Sequence, residues 1–114
     1  MLLYDAPIPA PNPRRVRIYL AEKGLSVPMQ SLSILAGEHK GSDFVAKYPA
    51  GQLPVLELDD GRMIGETIAI CRYFEALHPD PPLFGTDPAS IAEVEMWTRR
   101  VELNYGAAIR NIWI

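Results

Sequence analysis

Leu53-Pro54-Val55-Leu56-Glu57-Leu58-Asp59-Asp60-Gly61-Arg62-Met63-Ile64, running on into Gly65-Glu66-Thr67-Ile68-Ala69-Ile70-Cys71-Arg72-Tyr73, is the stretch that decides the fold. Leu53 to Leu58 and Arg62 to Ile64 are short apolar runs of strand character. Asp59-Asp60-Gly61 between them is a strong hairpin signal. From Glu66 to His78 the period changes: Ile68, Ile70, Cys71, Phe74 and Leu77 stand at helical spacing until Pro79-Asp80-Pro81-Pro82 breaks the run.

Upstream, Leu2-Leu3-Tyr4 predicts a brief strand, stopped by Asp5 and a proline-rich loop. Asn12-Pro13 opens a helix, with Asn12 as N-cap and Pro13 at the first helical position. Val16, Tyr19 and Leu20 give it an apolar face, and Lys23-Gly24 ends it. Val27 to Ser33 alternates loosely, as a second strand would. Gly37 to Gly41 reads as a polar loop and Ser42 to Tyr48 as a short helix stopped by Pro49. The order is β-α-β-(α)-β-β-α over residues 1–78, an α/β arrangement.

Residues 79–87 form a proline-rich linker, and Asp87-Pro88 repeats the cap-then-proline helix start. Ile91, Val94, Thr98, Val101, Tyr105, Ala108 and Ile112 then step by three and four down one stripe. Met96, Leu103, Ile109 and Trp113 mark a second flank. A helix apolar on more than one face is normally sandwiched between partners. Since the chain stops at Ile112-Trp113-Ile114 with no cap, residues 88–114 are expected to be the start of a longer, truncated helical region; cover borrowed from another chain is the alternative.

Composition excludes several classes. The 114 residues are 48% hydrophobic and 22% charged, as in ordinary globular proteins. Fourteen acids against eleven bases give a net charge of −3, which argues against a nucleic-acid partner. No run approaches the ~20 apolar residues of a membrane span, and the N-terminus lacks the pattern of a signal peptide. One cysteine, Cys71, makes neither an internal disulfide nor a CxxC pair, so a reducing, cytoplasmic setting is expected. There is no GxGxxG, no P-loop and no His/Cys cluster with metal spacing, so neither nucleotide nor metal is implied.

Four segments in order resemble the cytosolic glutathione S-transferase family. They are Pro11-Asn12-Pro13-Arg14-Arg15-Val16-Arg17 with Ala21-Glu22-Lys23-Gly24; Ala36-Gly37-Glu38-His39-Lys40; Pro49-Ala50-Gly51-Gln52-Leu53-Pro54-Val55-Leu56; and Gly65-Glu66-Thr67-Ile68-Ala69-Ile70-Cys71-Arg72-Tyr73. The resemblance implies a thioredoxin-like glutathione-binding domain over 1–78 and, over 88–114, the first helix of an all-α domain. It implies glutathione as co-substrate, a hydrophobic electrophile or a disulfide as second substrate, a two-fold homodimer, and detoxification chemistry.

Each segment also has a physical reading. Glu66 and Thr67 stand where a helix begins, and helix N-termini attract anions. There Thr67 would take the γ-glutamyl carboxylate and Glu66 would face the amine; a plain capping pair is the alternative. The family's cis bond at Leu53-Pro54 would present the backbone of Leu53 to the cysteinyl part of glutathione, with Gln52 as a further contact. An ordinary edge-strand proline is the alternative. His39 and Lys40 resemble the pair that reaches the glycyl carboxylate, or are solvated loop charges. Cys71 reads as buried packing.

The family's chemistry requires glutathione as a thiolate, and here the chain departs from the common pattern. Ala10 falls where the serine classes carry their hydroxyl, and Tyr4 stands too early to match the tyrosine classes. Asn12 is left as the donor, matching the asparagine of the bacterial Nu-type transferases, which also reduce disulfides. Its competing role is to cap its own helix. Arg14, Arg15 and Arg17 could draw in an anionic peptide, or form a solvated or interface-facing cluster. A non-catalytic binding or regulatory relative remains the alternative function.

Overall fold

The computed structural model describes residues 1–113, with side chains to residue 112. The expectations placed on the Trp113 side chain and on Ile114 lie outside the described residues. The chain divides into two compact units, Met1–His78 and Pro79–Ile114.

The first unit runs β1 (Leu2–Asp5), α1 (Pro11–Lys23), β2 (Met29–Ser31), a 3-10 turn (Glu38–Lys40), α2 (Ser42–Lys47), β3 (Val55–Glu57), β4 (Met63–Ile64) and α3 (Thr67–Leu77). The four strands lie in the order β2-β1-β3-β4. β1 pairs in parallel with β2 across the α1 crossover and antiparallel with β3, and β3 pairs antiparallel with β4. The hairpin turn closes as expected: the Leu58 N–H bonds to the Arg62 carbonyl and the Gly61 N–H to the Leu58 carbonyl. The Asp60 carboxylate accepts from the backbone and the guanidinium of Arg62, which fastens the tip.

Strand alternation sorts the core into two layers. Tyr4 and Val55 lie opposite one another in register and share a cluster with Leu32 and with Phe44 of α2. The Tyr4 and Phe44 rings meet edge to face at 5.4 Å. Leu3 and Leu56, also paired, point to the other face, where α1 and α3 pack together and α3 touches β3. Leu3, Leu56, Val16, Val55 and Ile70 are each under 2% exposed. Burial of such a side chain stabilises the fold by about 1.5–3 kcal/mol.

α1 buries Val16, Tyr19, Leu20 and Lys23, the i, i+3, i+4, i+7 set of one helical face. The lysine is held at that depth by Glu75 of α3, whose Oε1 lies 3.0 Å from its Nζ and accepts from the Tyr19 hydroxyl at 2.6 Å. Gly24 ends the helix in the left-handed conformation (φ 68°), as expected of Lys23-Gly24. Two expectations are corrected. The N-cap of α1 is Ala10, with Pro11 in the first turn, so Asn12 lies inside the helix and its side chain caps nothing. The signal misled because Pro11 and Pro13 are both compatible with a helical first turn. The stretch expected as a loop at 37–41 holds the 3-10 turn instead, started by Gly37 (φ 75°).

The second unit opens with α4 (Pro88–Val101), capped as the sequence predicts: Asp87 accepts from the Ser90 N–H, and the Ser90 hydroxyl accepts from the Asp87 N–H. Gly85 stands at φ 90°, and a Cβ there would come within 2.6 Å of the Ile91 backbone nitrogen, so only glycine fits ahead of the cap. The single helix expected over 88–114 is interrupted by a π-helical turn, Glu102–Gly106, before α5 (Ala107–Trp113). The Asn104 side-chain amide donates back to the Arg100 carbonyl at 2.8 Å across this turn. Trp97, Val101, Tyr105 and Ile109 are all more than 40% exposed.

Candidate functional site

The strand registers gather the candidate residues. Carried one residue beyond the recorded β1–β3 pairs, the ladder brings Asp5 opposite Pro54; carried two residues beyond the β3–β4 pairs, it brings Pro54 opposite Glu66. The C-terminal ends of β1, β2 and β4 and the N-terminal end of β3 therefore share one edge of the sheet. From that edge spring the loop to α1 with Asn12, the segment to His39 and Lys40, the Gln52-Leu53-Pro54 approach to β3, and the Glu66-Thr67 start of α3.

The Leu53-Pro54 bond is cis. Pairing with β1 begins only at Val55, so Leu53 stands just outside the ladder, half-buried, while Gln52 is exposed. Glu66 is the only non-glycine residue at positive φ (64°) among the described residues, and it occupies the N-cap of α3 without a side-chain cap bond. Such a conformation costs about 1–3 kcal/mol and is found where surrounding structure enforces it, often at ligand clamps. Thr67, the first residue of α3, is buried, whereas the Glu66 side chain is exposed. Behind them the Tyr48 hydroxyl fills the space beside Gly65, where a Cβ would stand 1.9 Å from it.

His39 and Lys40 meet the approach to β3 through Gly51, which lies at φ 57° with a virtual Cβ 3.0 Å from the His39 carbonyl oxygen. Lys40 Nζ donates to the Ala50 carbonyl at 3.4 Å. His39 Nδ1 is buried with no hydrogen-bond partner among the described residues. The turn and the segment 50–54 are thus one packed group, with a ring nitrogen and an ammonium beside it.

The start of α1 is poorer in donors than an ordinary helix. Of the four N–H groups a helix leaves unpaired, those at the positions of Pro11 and Pro13 do not exist. What remains is the backbone N–H of Ala10 and of Asn12, together with the exposed Asn12 side-chain amide. Arg14 is exposed on the next turn. Arg17, expected as part of a solvated or anion-drawing cluster, is spent internally: its Nη1 donates to both Asp5 carboxylate oxygens at 2.7 and 2.9 Å and to the Ala6 carbonyl at 2.8 Å, and its Nη2 to the Ile8 carbonyl at 3.3 Å.

Two other polar groups lie off this edge. The Tyr4 hydroxyl donates to Glu57 Oε2 at 2.6 Å and accepts from Lys47 Nζ at 3.2 Å. The hydrogen bond to Glu57, then burial, push the phenol above its ordinary range, so Tyr4 stays protonated. It borders a shallow cavity of about 440 Å³ shared with Gln30, Asp43, Phe44 and Lys47, which includes none of the candidate residues. Cys71 is buried on α3, and burial pushes its thiol up to about 11. It is core, as its position on the apolar face predicted.

The strand order, the crossover through α1, the hairpin and the cis-proline edge define a thioredoxin-like fold. Residues 10–77 match the family profile described as "Glutathione S-transferase, N-terminal domain", and the chain belongs to the glutathione S-transferase family. It is 45% identical over 105 residues to Glutathione S-transferase 2 of Saccharomyces cerevisiae, covering 90% of this chain and 45% of the yeast protein. Among solved structures it superposes on a glutathione S-transferase domain-containing protein of Marinobacter aquaeolei with TM-score 0.82 and 42% identity, covering 90% of this chain and 50% of that one. A Sulfitobacter glutathione transferase homologue solved with bound glutathione gives TM-score 0.77 at 27% identity, over 88% of this chain and 47% of that one. The chain thus spans about half the length of these relatives. Among the described residues no helix is long and apolar enough to cross a membrane.

Proposed function

We propose that the chain binds glutathione along the Asp5–Pro54–Glu66 edge of its sheet and serves a glutathione transferase that uses the bound thiolate. The observation that carries this reading is a strained Glu66 ahead of a buried Thr67, on the same edge as the Leu53 backbone that stands outside the β1–β3 ladder. The bound-glutathione structure of the Sulfitobacter relative supports it.

In this reading the Leu53 backbone pairs with the cysteinyl part of the tripeptide, with Gln52 beside it. Thr67 takes the γ-glutamyl carboxylate at the start of α3, where the helix dipole favours an anion, and Glu66 faces the amine. His39 and Lys40 take the glycyl carboxylate. A free thiol titrates near ~8.5, so only a few per cent is ionised at neutral pH. The Asn12 amide, released from capping, donates to the sulfur at the start of α1, and the proton leaves to solvent. The thiolate then forms a bond to carbon as a leaving group or electron pair departs. At a disulfide it forms a mixed disulfide as the second sulfur leaves as thiolate. The protein acts as a cytoplasmic homodimer in this proposal.

The test is a titration with reduced glutathione followed by backbone amide shifts, with the ultraviolet absorbance of the bound thiol recorded against pH for wild type and Asn12→Ala. Saturable shifts at Leu53 and Thr67 are expected, with a thiol pKa lowered in wild type and restored by about one unit in the variant, a tenfold change in thiolate fraction well below the pKa. A second reading, a glutathione-binding relative without catalysis, draws on Ala10 in the hydroxyl position and on the two prolines that strip N–H groups from α1. Saturable binding with an unshifted thiol pKa would select it.

A further inference from the structure

The segment between β1 and α1, Ala6-Pro7-Ile8-Pro9-Ala10-Pro11, alternates proline with non-proline. Three of its six residues lack an N–H, so it has few backbone donors with which to fasten itself. Its carbonyls still need partners, and its position decides where Asn12 stands. Arg17 supplies what the backbone lacks. From the second turn of α1 one guanidinium reaches back to the carbonyls of Ala6 and Ile8, and the same group grips the buried Asp5 carboxylate through both oxygens. Asp5 is the last residue of β1, and by register it stands beside Pro54. One side chain therefore joins the sheet edge, the proline loop and α1.

We infer that Arg17 is a positioning residue for thiol activation: by holding Asp5, Ala6 and Ile8 together it sets the Asn12 amide against the sulfur of glutathione bound at Leu53. The inference rests on the glutathione reading above and concerns how its donor is aimed. The guanidinium is suited to this because it presents planar donors in a fixed fork, whereas an ammonium is a point charge on a flexible stem. Its charge is matched by Asp5, so it acts through geometry and not through its field at the sulfur.

Arg17→Lys separates these roles, because it keeps a cation for Asp5 while losing the fork that spans two carbonyls. Arg17→Ala would strand a buried carboxylate and risks unfolding, so it serves only as a stability control. In Arg17→Lys, glutathione should still saturate, with the shifts at Leu53 and Thr67 preserved. Backbone amide resonances of Ile8, Ala10 and Asn12 should move in the free variant while those of β3 stay in place. The bound thiol pKa should rise by roughly one unit, with kcat falling about tenfold and KM little altered. A wild-type thiol pKa that is lowered and stays equally low in Arg17→Lys overturns the inference and leaves the glutathione reading intact. A wild-type thiol pKa that is not lowered overturns the inference together with the transferase reading, and leaves glutathione binding alone standing. A loss of stability alone, with pKa and kcat unmoved, reduces Arg17 to a structural clamp and also overturns it.

Discussion

Glu66 stands against its own backbone preference. A glutamate at φ 64° pays a steric penalty that glycine would not, and it does so at the residue before the helix that is proposed to take a carboxylate. Glu66→Gly should therefore raise the unfolding midpoint modestly, by the equivalent of about 1 kcal/mol. The same change removes the carboxylate proposed to face the γ-glutamyl amine, so glutathione affinity should fall. Thermal unfolding and a glutathione titration on one preparation decide it, since a variant that is both more stable and equally tight would leave the carboxylate without a role. The sequence showed Glu66-Thr67 at a helix start but not the strain, because positive φ is signalled in sequence chiefly by glycine. It also misassigned Arg17, since nothing in a run of arginines says which one turns back toward a buried aspartate twelve residues earlier.

Elements were legible where punctuation and periodicity agreed. The Asp59-Asp60-Gly61 hairpin, the Lys23-Gly24 stop and the Asp87-Pro88 start all stand as read, because each rests on a local chemical requirement. The start of α1 was misplaced by two residues because two prolines in three positions satisfy the same rule. At α4 the cap makes a sharp prediction. Its bond from the Ser90 N–H holds the Asp87 carboxyl below the usual range. A depressed pKa means the cap contributes in full above the unfolded value near ~3.9 and is lost as pH falls through the lower folded value. Asp87→Ala should accelerate hydrogen exchange at Ala89, Ser90 and Ile91 at neutral pH, and wild type should come to match it only well below pH ~4.

For the whole molecule, the α/β order followed from the sequence because most strands and helices announced themselves, the thioredoxin-like topology followed from the family resemblance, and the registers then placed four loops on one edge. The π turn was invisible, since stepping by three and four describes an α-helix equally well. Global stability should carry the mark of Cys71. Its thiol is pushed up to about 11 by burial, so the folded state keeps its proton after the unfolded chain has lost it. Stability contributed this way is complete below the ordinary thiol pKa of ~8.5 and is lost as pH climbs toward the folded value. Urea unfolding at pH 7, 9 and 10 should show a steeper decline in wild type than in Cys71→Ala, whatever the two differ by at pH 7. Equal slopes would mean that the thiol does not sense its burial.

The π turn at Glu102–Gly106 has a consequence of a different kind. A π turn amounts to one residue more than an α-helix needs over the same stretch. Remove one residue there and the hydrogen-bond ladder can close into an unbroken α-helix, with the side chains from Ala107 onward facing nearly as they do now, because five residues of the wider turn cover about the same sweep as four α-helical ones. Trp97, Val101 and Ile109 would keep their directions around the axis. The turn works like an expansion joint: it takes up one residue of length and leaves the helix on either side in phase.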